Sequence, residues 1–472
     1  MKFEEYRSYD AIGLAGLVAK RAVTAGELLD AALERAAAVN PTLNALITDL
    51  EGEARAAIAQ GLPAGPLAGV PYPIKDISVY MKGVVTGAGS RIFANAIADA
   101  DSAIVSLYRK AGLVLFAKTN TPEFGLACVT EPVAKGKTLN PWNLARTSGG
   151  SSGGAASAVA AGIVPAAHGS DGGGSIRIPA SCCGLFGLKP SRGRVSLAPA
   201  GEGWGGLSVQ HALTRSVRDS ALLLDIACKP QSGDPYWLDP PATPFLDEVG
   251  KPPGKLRIGF TTSTLVWGET HAEPAKAVRD AAKLCESLGH EVEEAKPDVD
   301  FQQMALHANT LVTCAVAATL DREGERRGAP IQREEVEHLT WMLYQNAATF
   351  TGVKAAMALQ DLHALSRKLA TFFERYDIFL LPTLAKAPVP VGSIDTNAED
   401  LTDYAERLYS FIPNTQPFNI GGQPAMSVPL SWADDGMPIG VQFVAKGGAE
   451  ALLFRLAAQL EKAQPWFNRH PA

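Results

Sequence analysis

Residues 147–194 read TSGGSSGGAASAVAAGIVPAAHGSDGGGSIRIPASCCGLFGLKPSRGR, and no other stretch of the chain is built like it. Glycine, serine and alanine dominate. Val159, Ile163, Val164, Leu185, Phe186 and Leu188 nevertheless recur as packed core positions, so the segment folds rather than links. Glycine accepts positive φ and lets backbones approach closely. Asp171-Gly172-Gly173-Gly174-Ser175 can therefore aim successive N–H groups at one point, a concave nest for an anion. Two readings stay open at this level. Either the nest simply holds a phosphate or another anion, or Ser175 is a nucleophile and the nest is the oxyanion hole of acyl transfer.

A serine nucleophile needs an activating base. His168, seven positions upstream, is the obvious residue type, but it falls at the end of an apolar strand running from Val164 and reads as structural. Gly-x-Ser-x-Gly occurs twice, around Ser151 and Ser152. The hydrolase elbow that this pattern can signal needs a strand just before the serine, and TLNPWNLARTSGG (138–150) reads as loop. The remaining base is Lys75, in the apolar segment GVPYPIKD (69–76). A strand carrying that lysine inward would desolvate it and bring its pKa toward neutrality. The competing reading is a surface ion pair between Lys75 and Asp76.

Taken together, GGSSGG (149–154), GSDGGGSIRIPASCCGLFGLKPSRGR (169–194), GVPYPIKD, AKTNTPEFG (117–125) and PFNIGGQPAMSVPL…DGMPIGVQFVA (417–445) resemble the amidase signature family of serine hydrolases. The resemblance runs from about Val23 to the last helix. It implies that Ser175 is the nucleophile, Ser151 the bridging serine after a cis peptide, and Lys75 the base. It implies oxyanion donors from the backbone of Gly172, Gly173, Gly174 and Ser175, with Ser152, Asp171 and Arg177 bracing the loop; the alternative for Arg177 is to bind a substrate carboxylate. Two departures stand out: Ser191 where many members have threonine, and Gly172 where relatives often carry a larger residue. The texture of NPWNLARTSGGSSGG and LTRSVRD (213–219) is similar to hydrolases of nylon-type oligoamides and aryl acylamides. The amidase subunit of a tRNA-dependent glutamine amidotransferase is the alternative, and a binding protein on an inactive scaffold is the third reading. The expected chemistry is hydrolysis of C–N bonds in small amides, with carbamates and esters as further substrates. No cofactor and no metal are implied.

Working outward, Thr24-Ala25-Gly26-Glu27 is a capping box. The helix after it carries Leu28, Leu29, Ala32, Leu33 and Ala36 on one face and should stop at Asn40-Pro41. Short buried strands are expected at 113–118, 256–260, 378–382, 425–430 and 439–445, with helices near 274–288, 353–376 and 450–462. This alternation predicts an α/β protein, a single amidase domain over 1–472 with a mixed central β-sheet covered by helices on both faces. The Pro- and Asp-rich stretch 229–255 is expected to be a surface connection inside that domain, and a helical cap is expected within 320–350.

The net charge of −6 shows no basic stripe, so nucleic acid is not an expected partner. The start MKFEEYRSYD has no apolar signal region, and the apolar run 155–167 is too short for a bilayer. The six cysteines have no metal-ligand spacing and read as reduced core thiols of a cytoplasmic protein. A homodimer is the base-rate assembly. Trp204 lies in GEGWGG (201–206), where Gly201, Gly203 and Gly206 form a G-x-G-x-x-G pattern without the strand–helix context of a dinucleotide site. Trp204 is instead a candidate to cover the substrate, along with Phe124, Cys128, Cys314, Trp341, Tyr344 and Asn419.

Overall fold

The computed structural model describes residues 1–471. Three strands, β1 (Leu46–Asp49), β2 (Pro71–Lys75) and β3 (Val114–Thr119), form a small sheet in the order β1-β3-β2. A surface hairpin pairs β4 (Leu139–Asn140) with β5 (Asn143–Thr147). The large sheet uses β6 (Ala166–Asp171), β7 (Phe186–Lys189), β8 (Val209–Thr214), β9 (Arg257–Phe260), β10 (Glu291–Glu294), β11 (Ile378–Pro382), β12 (Ala425–Trp432) and β13 (Pro438–Ala445). Its order is β10-β9-β11-β13-β12-β7-β8-β6. β9 pairs in parallel with β10 and β11, and the other neighbours are antiparallel. The sheet is therefore mixed, and it takes strands from both sides of residues 229–255.

β11 shows why the centre of this sheet reads as continuously apolar. Side chains alternate faces along a strand. Ile378 and Leu380 join the larger core, while Phe379 and Leu381 join a second core on the opposite face. The helix Gly352–Arg375 covers that second face with Leu362, Leu369 and Phe372, and Phe301, Met304 and Ala308 of the helix Phe301–Arg327 pack beside them. The helices Ala272–Ser287 and Glu450–Ala463 supply Val278, Ala281, Leu453 and Leu456 to the first. A strand buried on both faces cannot keep a polar alternation. Among the described residues no helix is long and apolar enough to cross a membrane.

Three local expectations are corrected. The helix opened by the Thr24–Glu27 capping box runs through Pro41 to Leu43. Proline removes one donor, but the stop is made by Asn44, whose left-handed φ of 50° closes the helix. The Asn40 side chain accepts the N–H groups of Ala45 and Leu46, both at 2.8 Å, and so caps the exit. The segment before Ser151 is not loop throughout, because β4 and β5 pair there; β5 is mostly exposed and lies outside the large sheet. His168 sits inside β6 rather than at a strand end, since pairing with β8 starts at Ala166 and continues to Asp171.

Candidate active site

Lys75 ends β2 with its side chain fully buried. Its Nζ donates to Ser151 Oγ at 2.7 Å and to Ser170 Oγ at 3.0 Å. Burial lowers its pKa from 10.5 to about 7, against the opposing pull of the Asp171 charge. An amine in this state is half neutral near pH 7 and can accept a proton. The Lys75–Asp76 pair does not form. Asp76 turns to the buried Lys118, 2.6 Å away, and accepts the Gly87 N–H. Adjacent residues of a strand point to opposite faces, which separates the two.

Ser151 follows a cis peptide from Gly150. The helix Gly153–Ala160 begins two residues later. The Ser152 N–H donates to the Ser175 carbonyl at 3.2 Å, and the Ser152 hydroxyl donates to the Ser170 carbonyl at 3.2 Å. These bonds fix the Ser151 segment against β6 and the turn after it. Ser170 is the partner that sequence reasoning missed. Its only signal was its place on the strand leading into the glycine nest.

The turn after β6 is held from behind. The Asp171 carboxylate accepts from Gly174 N–H at 2.7 Å, Ile176 N–H at 3.2 Å, and Arg177 Nη2 and Nε at 2.9 and 3.0 Å. Burial works to raise the Asp171 pKa, but the Arg177 charge and hydrogen bonds outweigh it and hold the carboxyl well below its usual range. Arg177 also donates to the Thr415 carbonyl and to Gln442. Both charges are thus consumed inside the protein. Gly174 corrects the expected set of oxyanion donors, because its N–H is already engaged by Asp171. Its φ of 135° and the approach of Thr415 Oγ1, 2.3 Å from where a Cβ would stand, explain the glycine instead. Among the described residues the N–H groups of Gly172, Gly173 and Ser175 have no protein acceptor.

His168 is not placed as a base. Its Nδ1 accepts the Lys75 backbone N–H at 3.4 Å, and burial depresses its pKa to about 3. It ties β2 to β6.

Ser175, nearly buried, opens with Gly173 onto a cavity of about 110 Å³. Leu126, Cys128, Ile178, Trp204 and Val312 form much of its wall; Asn309 and Gln416 are its polar side chains apart from Ser175 and Tyr409. No Lys, Arg, Asp or Glu lines it. Of the expected substrate-facing residues, Cys128 and Trp204 are on this wall. Phe124 is not: it packs edge-on against Phe93 in a side core that also takes Trp341 and Tyr344. Tyr344 spends its hydroxyl on Asp321 at the surface. Cys314 is half-buried off the wall. Asn419 is buried and donates to the Asp171 carbonyl and carboxylate, both at 2.8 Å, and to the Leu207 carbonyl at 3.2 Å. It braces loops rather than meeting substrate. The α-helical residues facing the cavity are Ile178 of the helix Arg177–Cys183, Asn309 and Val312 of the helix Phe301–Arg327, and Leu408 and Tyr409 of the helix Leu401–Phe411; none falls within 320–350.

A family model described as Amidase matches residues 27–454. The chain belongs to the amidase family. As an amidase-family member it is 39% identical over 478 residues to the 6-aminohexanoate-cyclic-dimer hydrolase of Paenarthrobacter ureafaciens, covering 98% of this chain and 96% of the relative. It is similar to the solved structure of a 6-aminohexanoate cyclic dimer hydrolase, with a TM-score of 0.92, 38% identity and 98% of each chain covered. A bacterial aryl acylamidase of the amidase signature family superposes with a TM-score of 0.87 at 27% identity, again over 98% of each chain. The family expected from the signature segments and the mixed α/β architecture expected from the alternation of strands and helices are thereby established.

Proposed function

We propose that this chain hydrolyses uncharged amides through a relay of Lys75, Ser151 and Ser175. The observation that carries the reading is the buried Lys75 amine, 2.7 Å from Ser151 Oγ and brought to a pKa of about 7. Neutral Lys75 takes the Ser151 proton as Ser151 takes the Ser175 proton. Ser175 Oγ then attacks the carbonyl carbon, with Ser151 Oγ drawn within hydrogen-bonding reach of Ser175 Oγ when substrate fills the cavity. The N–H groups of Gly172, Gly173 and Ser175 receive the oxyanion. The C–N bond breaks, the proton returns through Ser151 to the departing amine, and water releases the acyl group by the same relay.

The cavity wall supports an uncharged substrate. A free ammonium or carboxylate would enter without a counter-charge, at a cost of several kcal/mol. Cyclic oligoamides, anilides and carbamates lack such termini; glutamine has both. The relatives' names point the same way, toward cyclic 6-aminohexanoate dimers and aryl acylamides. Esters are expected to follow, since the acyl-enzyme route tolerates varied leaving groups. The large sheet's use of strands from both sides of 229–255 supports one domain over 1–472. Six free cysteines, five of them buried, fit a reducing cytoplasm. A homodimer remains the assembly to test.

The test is turnover by the purified chain alone of an acyl-anilide, a linear aliphatic amide, a cyclic oligoamide, a carbamate and glutamine, beside Ser175→Ala. Cleavage of an uncharged member, lost in the variant, is the expected result. Turnover of glutamine alone, or activity only with added partner chains, would replace this reading by the amidotransferase subunit.

A further inference from the structure

Gly172 and Trp204 occupy one another's space. A Cβ at residue 172 would stand 2.8 Å from both Cε3 and Cζ3 of Trp204, and 3.0 Å from Ser208 Oγ. Gly172 does not take a left-handed φ. Its backbone would accept alanine, so the indole, with Ser208 beside it, is what excludes a side chain there. Trp204 has a φ of 58°, in the left-handed region that non-glycine residues seldom adopt.

The ring cannot slide away cheaply. Gly205, with φ of 70°, lies so close to the helix Phe301–Arg327 that a Cβ would stand 2.7 Å from Leu311 Cδ1. Arg192 Nε donates to the Gly206 carbonyl at 2.6 Å, and its other arm holds the carbonyls of Asn419 and Ile420. Asn419 in turn bonds Asp171 on one side and Leu207 on the other. The loop bearing Trp204 and the turn bearing Gly172 are therefore clamped together through one side chain. The indole lies on the bare Cα of the first glycine of the nest and forms part of the cavity wall.

We propose that Trp204, seated on Gly172, sets the width of the substrate cavity beside the carbonyl-binding turn, and that residue 172 is glycine because that seat requires it. The inference rests on the reading of residues 172–175 as the turn that receives the substrate carbonyl. It makes Trp204 a specificity-determining residue that limits bulk on the carbon or nitrogen next to the scissile bond.

The experiment measures kcat/KM for the wild type, Trp204→Ala, Gly172→Ala and the double variant. The substrates are two anilide series, one with acyl groups from acetyl to pivaloyl and cyclohexanoyl, the other with acetyl on increasingly bulky anilines. Trp204→Ala should raise the bulky-to-small ratio in at least one series by about tenfold, the scale of pocket discrimination for small apolar groups. Gly172→Ala should lose about tenfold or more across both series, and the double variant should recover most of that loss, because the displaced ring is gone. Unchanged ratios in both series for Trp204→Ala overturn the proposal, as does a double variant as poor as Gly172→Ala. If Gly172→Ala does not fold, the Trp204→Ala ratios decide. A wild type inert on every member, or a Ser175→Ala variant as active as the wild type, defeats the amide-hydrolase reading instead. The seat itself is then judged by Tm, where a deficit in Gly172→Ala that persists in the double variant refutes it.

Discussion

Replacing Lys75 by methionine should abolish turnover and yet stabilise the fold at neutral pH. In the folded chain burial lowers the amine's pKa from 10.5 to about 7. In the unfolded chain it regains the ordinary lysine value, so between about pH 7 and 10.5 the unfolded chain binds more protons than the folded one. A depressed folded pKa makes stability rise with pH through that window and fall as pH drops toward 7. Keeping Lys75 neutral therefore costs the fold about 4 kcal/mol at pH 7 and about 1 kcal/mol at pH 10. Methionine has a comparable length and no such cost. It gives up the bonds to Ser151 and Ser170, worth about 1 kcal/mol each. The net expectation is a gain of about 2 kcal/mol at pH 7, reversing to a loss of about 1 kcal/mol near pH 10. Urea titrations followed by tryptophan fluorescence from pH 6 to 10, with slopes compared to check the cooperativity of unfolding, measure it. A Lys75→Met variant less stable than wild type at pH 7, or a difference that does not change with pH, would show that the amine stays charged in the fold, and its role as base would fall with it.

Three further outcomes follow from the same structure. The wild-type kcat/KM should climb with pH through about 7 and level off above it, because only the neutral Lys75 accepts a proton; a flat profile from pH 6 to 9 contradicts this. Arg177→Leu should cost about 3–5 kcal/mol in a denaturant titration, since it strands the fully buried Asp171 carboxylate without its guanidinium; an unmoved midpoint would mean that the pair does not hold the turn. Burial raises the Glu461 pKa from 4.5 to about 7, so the folded chain keeps a proton the unfolded chain releases across that window, and wild-type stability falls as pH rises through it. Glu461→Gln can still accept the Val217 N–H and should match wild type in Tm at pH 5 and exceed it at pH 8; the opposite order would refute the assignment.

What was legible in the sequence depended on how local its physical cause was. The Thr24–Glu27 box needs four residues and forms as read. β11 needs five apolar residues and spans Ile378–Pro382 as expected. Ser175 and Lys75 stood out as candidates by their glycine-rich and apolar settings, whereas the joint roles of Lys75, Ser151 and Ser175 came from the resemblance to the amidase signature family; the structure brings Lys75 and Ser151 into contact. The cavity wall was legible only at Cys128 and Trp204. Leu126, Ile178, Val312 and Gln416 come from four separate segments with no shared pattern, and only the tertiary fold makes them neighbours. Asn419 shows the converse error. A buried amide near the site reads as a substrate contact until its partners, Asp171 and Leu207, are seen to use it. Asp76 fails as Lys75's partner for a topological reason: Lys118 lies on β3, beside β2, and pairing across the small sheet was invisible in one dimension.

The glycines of GGSSGG acquire a different role from those of the nest. A Cβ on Gly150 would lie 2.8 Å from Val129 backbone atoms, and one on Gly154 would lie 2.4 Å from the Asn120 N and 2.6 Å from the Ala45 carbonyl. Asn120 directly follows β3, and Ala45 precedes β1. The chain carrying Ser151 thus presses, backbone to backbone, on the edge of the small sheet, while Ser152 bonds Ser170 and Ser175 on the large-sheet side. Lys75 arrives from the small sheet, and Ser170 and Ser175 arrive from the large one. A side chain at residue 154 would run into the backbone flanking the small sheet at Asn120 and Ala45, and one at residue 150 into the backbone of Val129. The bond from Lys75 to Ser151 is therefore also a gauge of how tightly the two sheets dock, and the depressed lysine pKa depends on the same docking, because it arises from burial between them. The close backbone approach that the bare glycines of this segment allow thus serves both the geometry and the basicity of the site.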